Sequence, residues 1–104
     1  MMNLGIVVTD KAYGAPVIEL IRAAHTRGWD IRCFLTDSGV NLLAETTFRA
    51  LAENGTASIA ACELSLERYG EDVPGLQNLP GQVIIGGQYQ DAELVHNTDR
   101  VLVF

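Results

Sequence analysis

The chain opens with Leu4-Gly5-Ile6-Val7-Val8-Thr9, an apolar, β-branched run without alternation. That is the pattern of a strand buried on both faces, as in a parallel sheet. Asp10–Gly14 follows as a loop, and Pro16 suits a first helical turn, where a missing N–H costs nothing. From there Val17, Leu20, Ile21 and Ala24 share one face with Ile18 beside it, while Glu19, Arg22 and Thr26 fall opposite. His25 and Arg27 close that helix against its dipole, and Gly28 caps it. Trp29–Thr36 alternates as a second strand, with Ile31, Cys33 and Leu35 on one face and Arg32 and Phe34 on the other. Asp37-Ser38-Gly39 reads as a turn, Val40–Ala44 as a short helical turn, and Thr46–Asn54 as a helix turning Phe48, Leu51 and Ala52 inward.

The second half repeats the alternation. Ser58-Ile59-Ala60-Ala61 is a third strand running into Cys62, and Glu63–Arg68 is a helix closed by Gly70. Glu71–Gln82, with Pro74, Pro80, Gly75 and Gly81, predicts a long loop. Val83-Ile84-Ile85 predicts a short buried strand and Gly86-Gly87 a turn. Asp91–Asn97 predicts a short helix with Ala92 and Val95 inward, and Asp99–Phe104 a closing strand. Strands alternating with helices predict an α/β fold: a three-layer α/β/α sandwich around a five-stranded, mainly parallel sheet with right-handed crossovers, formed as one domain over residues 1–104. In such sheets sites gather at the carboxyl ends of the strands. Thr9–Gly14, Thr36–Gly39, the Cys62 junction and Gly86-Gly87 all fall at that edge.

Composition narrows the partners. A formal net charge of -6, with its seven Lys and Arg residues scattered, argues against nucleic acid and anionic membrane surfaces, which require a basic face. The apolar runs are too short to span a bilayer. The start, Met1-Met2-Asn3, has neither the basic region nor the apolar stretch of a signal peptide, so a cytoplasmic location is expected. There the two cysteines, Cys33 and Cys62, would stay reduced. Neither belongs to a C-x-x-C pair or a Cys/His cluster, so no metal site is expected. No glycine pattern spells a phosphate loop.

Candidate chemistry therefore concentrates on Cys62. A strand-to-helix junction sets its side chain at a helix start, where unpaired N–H groups favour an anion, and the thiolate is the reactive form of cysteine. Cys33, mid-strand on the Ile31/Leu35 face, reads as core. Lys11 and Tyr13, in a loop at the same edge, are candidates to line the cysteine pocket, as are Gly86 and Gly87 by permitting close approach. Arg68 is a candidate electrostatic partner for the sulfur, although six residues along a helix does not place it directly above Cys62. His25 and His96 fall near helix ends and form no Cys-His pair.

Cys62-Glu63-Leu64-Ser65-Leu66-Glu67-Arg68-Tyr69-Gly70 has the form C-x5-R-x-G, and the chain ends Asp99-Arg100-Val101-Leu102-Val103-Phe104. With the opening strand, the Tyr13-Gly14 loop and Asp37-Ser38-Gly39-Val40 in that order, the chain resembles the DsrE/DsrF-like family of small sulfur-relay proteins, which includes the TusD type. The resemblance implies a five-stranded α/β/α sandwich. It implies association into homo-oligomers (dimer, trimer or hexamer) or hetero-oligomers with related subunits. It also implies that Cys62 carries a persulfide sulfur from a donor protein to an acceptor protein, as a possible sulfurtransferase with no cofactor. One departure stands out: the family often places small apolar residues after the cysteine, whereas here Glu63 follows directly and Glu67 lies one turn on. Two other functions compete with the relay. One is a non-catalytic assembly or regulatory subunit of the same fold; the other is a small-molecule binding module using the strand-end loops.

Overall fold

In a computed structural model, which describes residues 2–70, 73 and 83–104, the chain forms a five-stranded sheet with every pairing parallel. The elements run β1 Asn3–Val8, α1 Gly14–Thr26, β2 Asp30–Leu35, α2 Thr46–Glu53, β3 Ser58–Cys62, α3 Glu63–Tyr69, β4 Ile84–Gly86, α4 Gln88–Asn97 and β5 Arg100–Val103. A 3-10 turn, Lys11–Tyr13, precedes α1, and a 3-10 helix, Asp37–Ala44, precedes α2. The long loop expected over 71–82 lies, apart from buried Val73, outside the described residues.

The strand order is β4-β3-β2-β1-β5. The first three crossovers step across the sheet in one direction and the fourth returns to the other edge. Right-handed crossovers then put α1, α2 and α3 on one face and, among the described residues, α4 alone on the other. The packing agrees. Leu4, Ile6, Val8, Ile31, Cys33, Leu35, Ile59 and Ala61 meet Val17 and Ile21 of α1, Phe48 and Leu51 of α2 and Leu66 of α3 in one core. Each fully buried side chain of that size contributes about 1.5–3 kcal/mol. The alternate strand positions point the other way, where Val7, Phe34 and Cys62 pack with Leu94 of α4, and partly buried Ala60 and Val101 lie against them.

Three readings change. The 3-10 helix begins at Asp37 rather than Val40 and buries Gly39 through Leu43, because this segment lies directly over the carboxyl end of β1. The strand expected to be buried at Val83–Ile85 is β4, shifted to Ile84–Gly86. Among the described residues it is an edge strand paired only with β3, and Ile84 and Ile85 remain 49% and 45% exposed. In α4 the inward residue is Leu94, while Ala92 and Val95 face outward; as the single helix on its face among the described residues, α4 buries one narrow line of contact against β1 and β2.

Candidate functional site

All five strands point the same way, so their carboxyl ends form one edge, and the loops along it are tied together. The Lys11 N–H donates to Ser38 Oγ at 3.2 Å, joining the loop after β1 to the loop after β2. The Asp37 N–H donates to Ser65 Oγ at 2.8 Å, joining the loop after β2 to α3. Thr36 Oγ1 stands 3.3 Å from the same Ser65 oxygen. Thr36 is anchored in turn by its N–H to the Val8 carbonyl at 2.9 Å.

Cys62 is both the last residue of β3 and the N-cap of α3, with extended φ/ψ of -71° and 120°. Its side chain makes no capping bond, so the first-turn N–H groups of the helix are left to face the sulfur. Burial by itself raises the pKa of the Cys62 thiol. The Ser65 hydroxyl, the N–H groups of Ser65 and Leu64, and the Thr36 hydroxyl all favour the charged form and together outweigh burial, holding the thiol below its ordinary value. Cys33 shows the opposite balance. With no such donors, burial pushes its thiol up to about 12. The two thiols are free and lie on opposite faces of the sheet, one in each core cluster, so the structure holds no disulfide between them.

Cys62 is only 6% exposed, but it opens onto a shallow depression of about 320 Å3 shared with Glu63, Leu64, Glu67 and Gly87. Larger hollows occur elsewhere. One of about 490 Å3 lies at the amino ends of the strands, lined by Asn3, Asp30 and Ser58 among others, and another of about 610 Å3 lies between α1 and α2. Neither contains a nucleophilic thiol, and the first is at the sheet edge opposite to the one where α/β sites assemble. The candidate site is therefore the smaller depression at Cys62. Among the described residues, no group of three or more His, Cys, Asp or Glu could hold a metal ion, and no helix is long and apolar enough to cross a membrane.

The candidate residues divide. Gly86 is the register partner of Cys62 on the neighbouring strand, and Gly87 lines the depression. Tyr13 turns away along the same edge and packs on Phe104, ring centroids 6.1 Å apart, over the β1/β5 side. Lys11 lies in that same turn, bonded through its N–H to Ser38. Arg68 stands exposed in the last turn of α3 and is not among the residues lining the depression. The acidic side chains that the sequence sets after the cysteine do line it.

Sequence reasoning did not single out Ser65, Thr36 or Asp37. Ser65 carried a signal: it stands three residues after the helix N-cap, the spacing at which a side chain folds back toward the cap. Thr36 and Asp37 carried only the expectation that the Thr36–Gly39 loop lies at this edge; their place directly beside Cys62 follows from the pairing of β2 with β3. Compared with known families, the sequence matches the family model described as DsrE/DsrF-like family over residues 2–104. No curated protein matches it.

Proposed function

The chain belongs to the DsrE/DsrF-like family, which is generally tied to sulfur relay, and from that premise we propose that it carries a persulfide sulfur on Cys62 between a donor and an acceptor protein. The observation that supports this reading most is the environment of the sulfur: a thiol at the N-cap of α3, faced by hydroxyl and amide donors, opening onto a depression at the carboxyl edge of the sheet. Thiolate character is what such chemistry requires. In loading, the Cys62 Sγ thiolate attacks the outer sulfur of a donor persulfide. A Cys62 S–S bond forms, the donor's S–S bond breaks, and the electron pair leaves with the donor thiolate. Delivery is the same exchange with an acceptor thiolate as the attacking group. The sulfur moves at an unchanged oxidation level, and no cofactor takes part.

Intact-mass measurement after incubation with a persulfide donor tests the reading. Wild type and Cys33→Ala should each gain the mass of one sulfur atom, and Cys62→Ser should gain none. No gain on wild type, or an equal gain on Cys62→Ser, would overturn it.

A second reading, an assembly or regulatory subunit, draws on a separate observation. Both edge strands and α4 expose apolar side chains, among them Ile84, Ile85, Leu102, Tyr89 and Val103. Exposed strand edges and apolar side chains of this kind offer a template for association with another chain. In that reading copies of this chain, or related subunits, cover them, and Cys62→Ser keeps full function in a reconstituted assembly. Light scattering that returns a monomer mass at high protein concentration removes the homo-oligomeric form of this reading.

A further inference from the structure

Ser65 is 5% exposed, and its hydroxyl is already committed on one side, because it accepts the Asp37 N–H at 2.8 Å. A hydroxyl has one proton to give. With the Asp37 N–H as donor, that proton has two candidate acceptors: Thr36 Oγ1 at 3.3 Å, and the sulfur of Cys62, the N-cap three residues before Ser65 at the start of the same helix. Asp37 is held in place for this task. Its φ of 48° is left-handed, unusual for a residue other than glycine. The conformation is sustained on both sides, by the Thr36 N–H bonded to Val8 O and by the Gly39 N–H bonded to Thr36 O, each at 2.9 Å. The hydroxyl is thus oriented before any sulfur arrives, which is the arrangement that stabilises a developing charge without reorganisation.

These donors address the inner sulfur, Sγ of Cys62. A sulfur bonded to Sγ would extend beyond them toward the depression lined by Leu64 and Gly87. Sγ is the atom that carries the thiolate charge when the site is empty, and it is neutral when the site is loaded. The Ser65 proton then has a charged acceptor in the first state and only Thr36 Oγ1 in the second. Resting on the relay reading, we propose that the Ser65 hydroxyl, positioned by the Asp37 N–H, is the donor that makes Cys62 Sγ the leaving group, so that the site favours release of the outer sulfur over its retention. In that step an acceptor thiolate attacks the outer sulfur. The new bond joins acceptor sulfur to outer sulfur, the Sγ–S bond breaks, and its electron pair returns to Sγ as a thiolate that takes the Ser65 hydrogen bond. Attack on Sγ itself, which would expel hydrosulfide and leave a mixed disulfide, needs in-line approach from the side opposite the outer sulfur, where Cys62 is packed against the protein rather than open to the depression.

The two half-reactions respond to this donor with opposite sign. A better-stabilised thiolate leaves faster but is a weaker nucleophile. Loading by inorganic polysulfide and release to 2-mercaptoethanol should be timed separately by mass, at a pH where the iodoacetamide reactivity of each variant has reached its plateau. In Ser65→Ala, release should slow on the order of 5-fold while loading is unchanged or faster. The plateau itself should move to higher pH. Ser65→Thr and Ser65→Val have the same shape and differ only by the hydroxyl, so Thr should release like wild type and Val like Ala, whatever either costs in stability. Equal slowing of both half-reactions, or a Val variant that releases as fast as Thr, overturns the proposal. If wild type takes up no sulfur, the relay reading falls and this inference with it; if wild type loads and the hydroxyl-free variants release normally, this inference alone falls.

Discussion

Gly39→Ala tests whether the loop after β2 is the part that sets up the cysteine. A Cβ at Gly39 would come within 2.9 Å of the Val8 carbonyl carbon and closer still to its oxygen. Both are backbone atoms, so no rotamer change relieves the overlap, and the Thr36–Gly39 segment must lift off β1. Lifting stretches two hydrogen bonds together: Thr36 N–H to Val8 O at 2.9 Å and Asp37 N–H to Ser65 Oγ at 2.8 Å. Overpacking of this kind and the loss of two such bonds together cost about 3 kcal/mol. In a domain of this size that lowers the melting temperature by roughly 10–20 °C. Gly28→Ala is the matched control. Gly28 has φ of 77° and open space around it, so alanine there carries only the left-handed backbone cost of about 1 kcal/mol. Urea titration followed by circular dichroism gives the stability of each variant, and the pH dependence of iodoacetamide reaction reports on Cys62. Gly39→Ala should be clearly the less stable of the two, and it alone should move the Cys62 plateau upward. If it costs no more than Gly28→Ala, or leaves Cys62 unchanged, the coupling between this loop and the sulfur is refuted.

Two further outcomes follow from the electrostatics. Cys33 is held up to about 12 by burial, whereas an unfolded chain releases that proton near the ordinary thiol value of about 8.5. Its contribution is therefore complete below about pH 8.5 and is lost as pH rises toward 12, by up to about 1.4 kcal/mol per pH unit. Denaturation across that range in a Cys62→Ser background should show the slope, Cys33→Ala should abolish it, and an identical slope in both would count against the assignment. Glu63 and Glu67 line the Cys62 depression, and among the described residues neither forms a salt bridge. At low salt an anionic disulfide should therefore react with Cys62 a few-fold more slowly than a cationic one of equal size. Salt and the Glu63→Gln/Glu67→Gln double variant should each erase the difference, and equal rates in wild type would refute an acidic gate on the sulfur.

The elements whose chemistry is local were legible. The apolar periodicity of Val17–Ala24 marked the inner face of α1, and the alternation of Ile31, Cys33 and Leu35 against Arg32 and Phe34 assigned both faces of β2. Cys62 could be singled out because an apolar run passing directly into a helical one leaves its side chain at the junction. Where the reading failed, the deciding contact came from elsewhere in the chain. An apolar triplet such as Val83-Ile84-Ile85 reads alike for an inner strand and for an edge strand with exposed side chains. The inner line of α4 likewise depended on which strands it would cross, and a shift of one residue, about 100° around the helix, exchanges Leu94 for Val95.

The sequence by itself determined that this chain alternates strand and helix, that a thiol stands where a strand becomes a helix, and that two carboxylates follow it. These are properties of spacing and residue type, written within a few positions of one another. Tertiary structure alone decided which strands are edges and that Cys33 and Cys62 face opposite layers. It also decided that Thr36, Asp37 and Ser65 gather at the sulfur across a sequence separation of 28–29 residues. The physical reason is that a hydroxyl's partners and a thiol's burial are set by strand order and register. Those are fixed only when all the strands have paired.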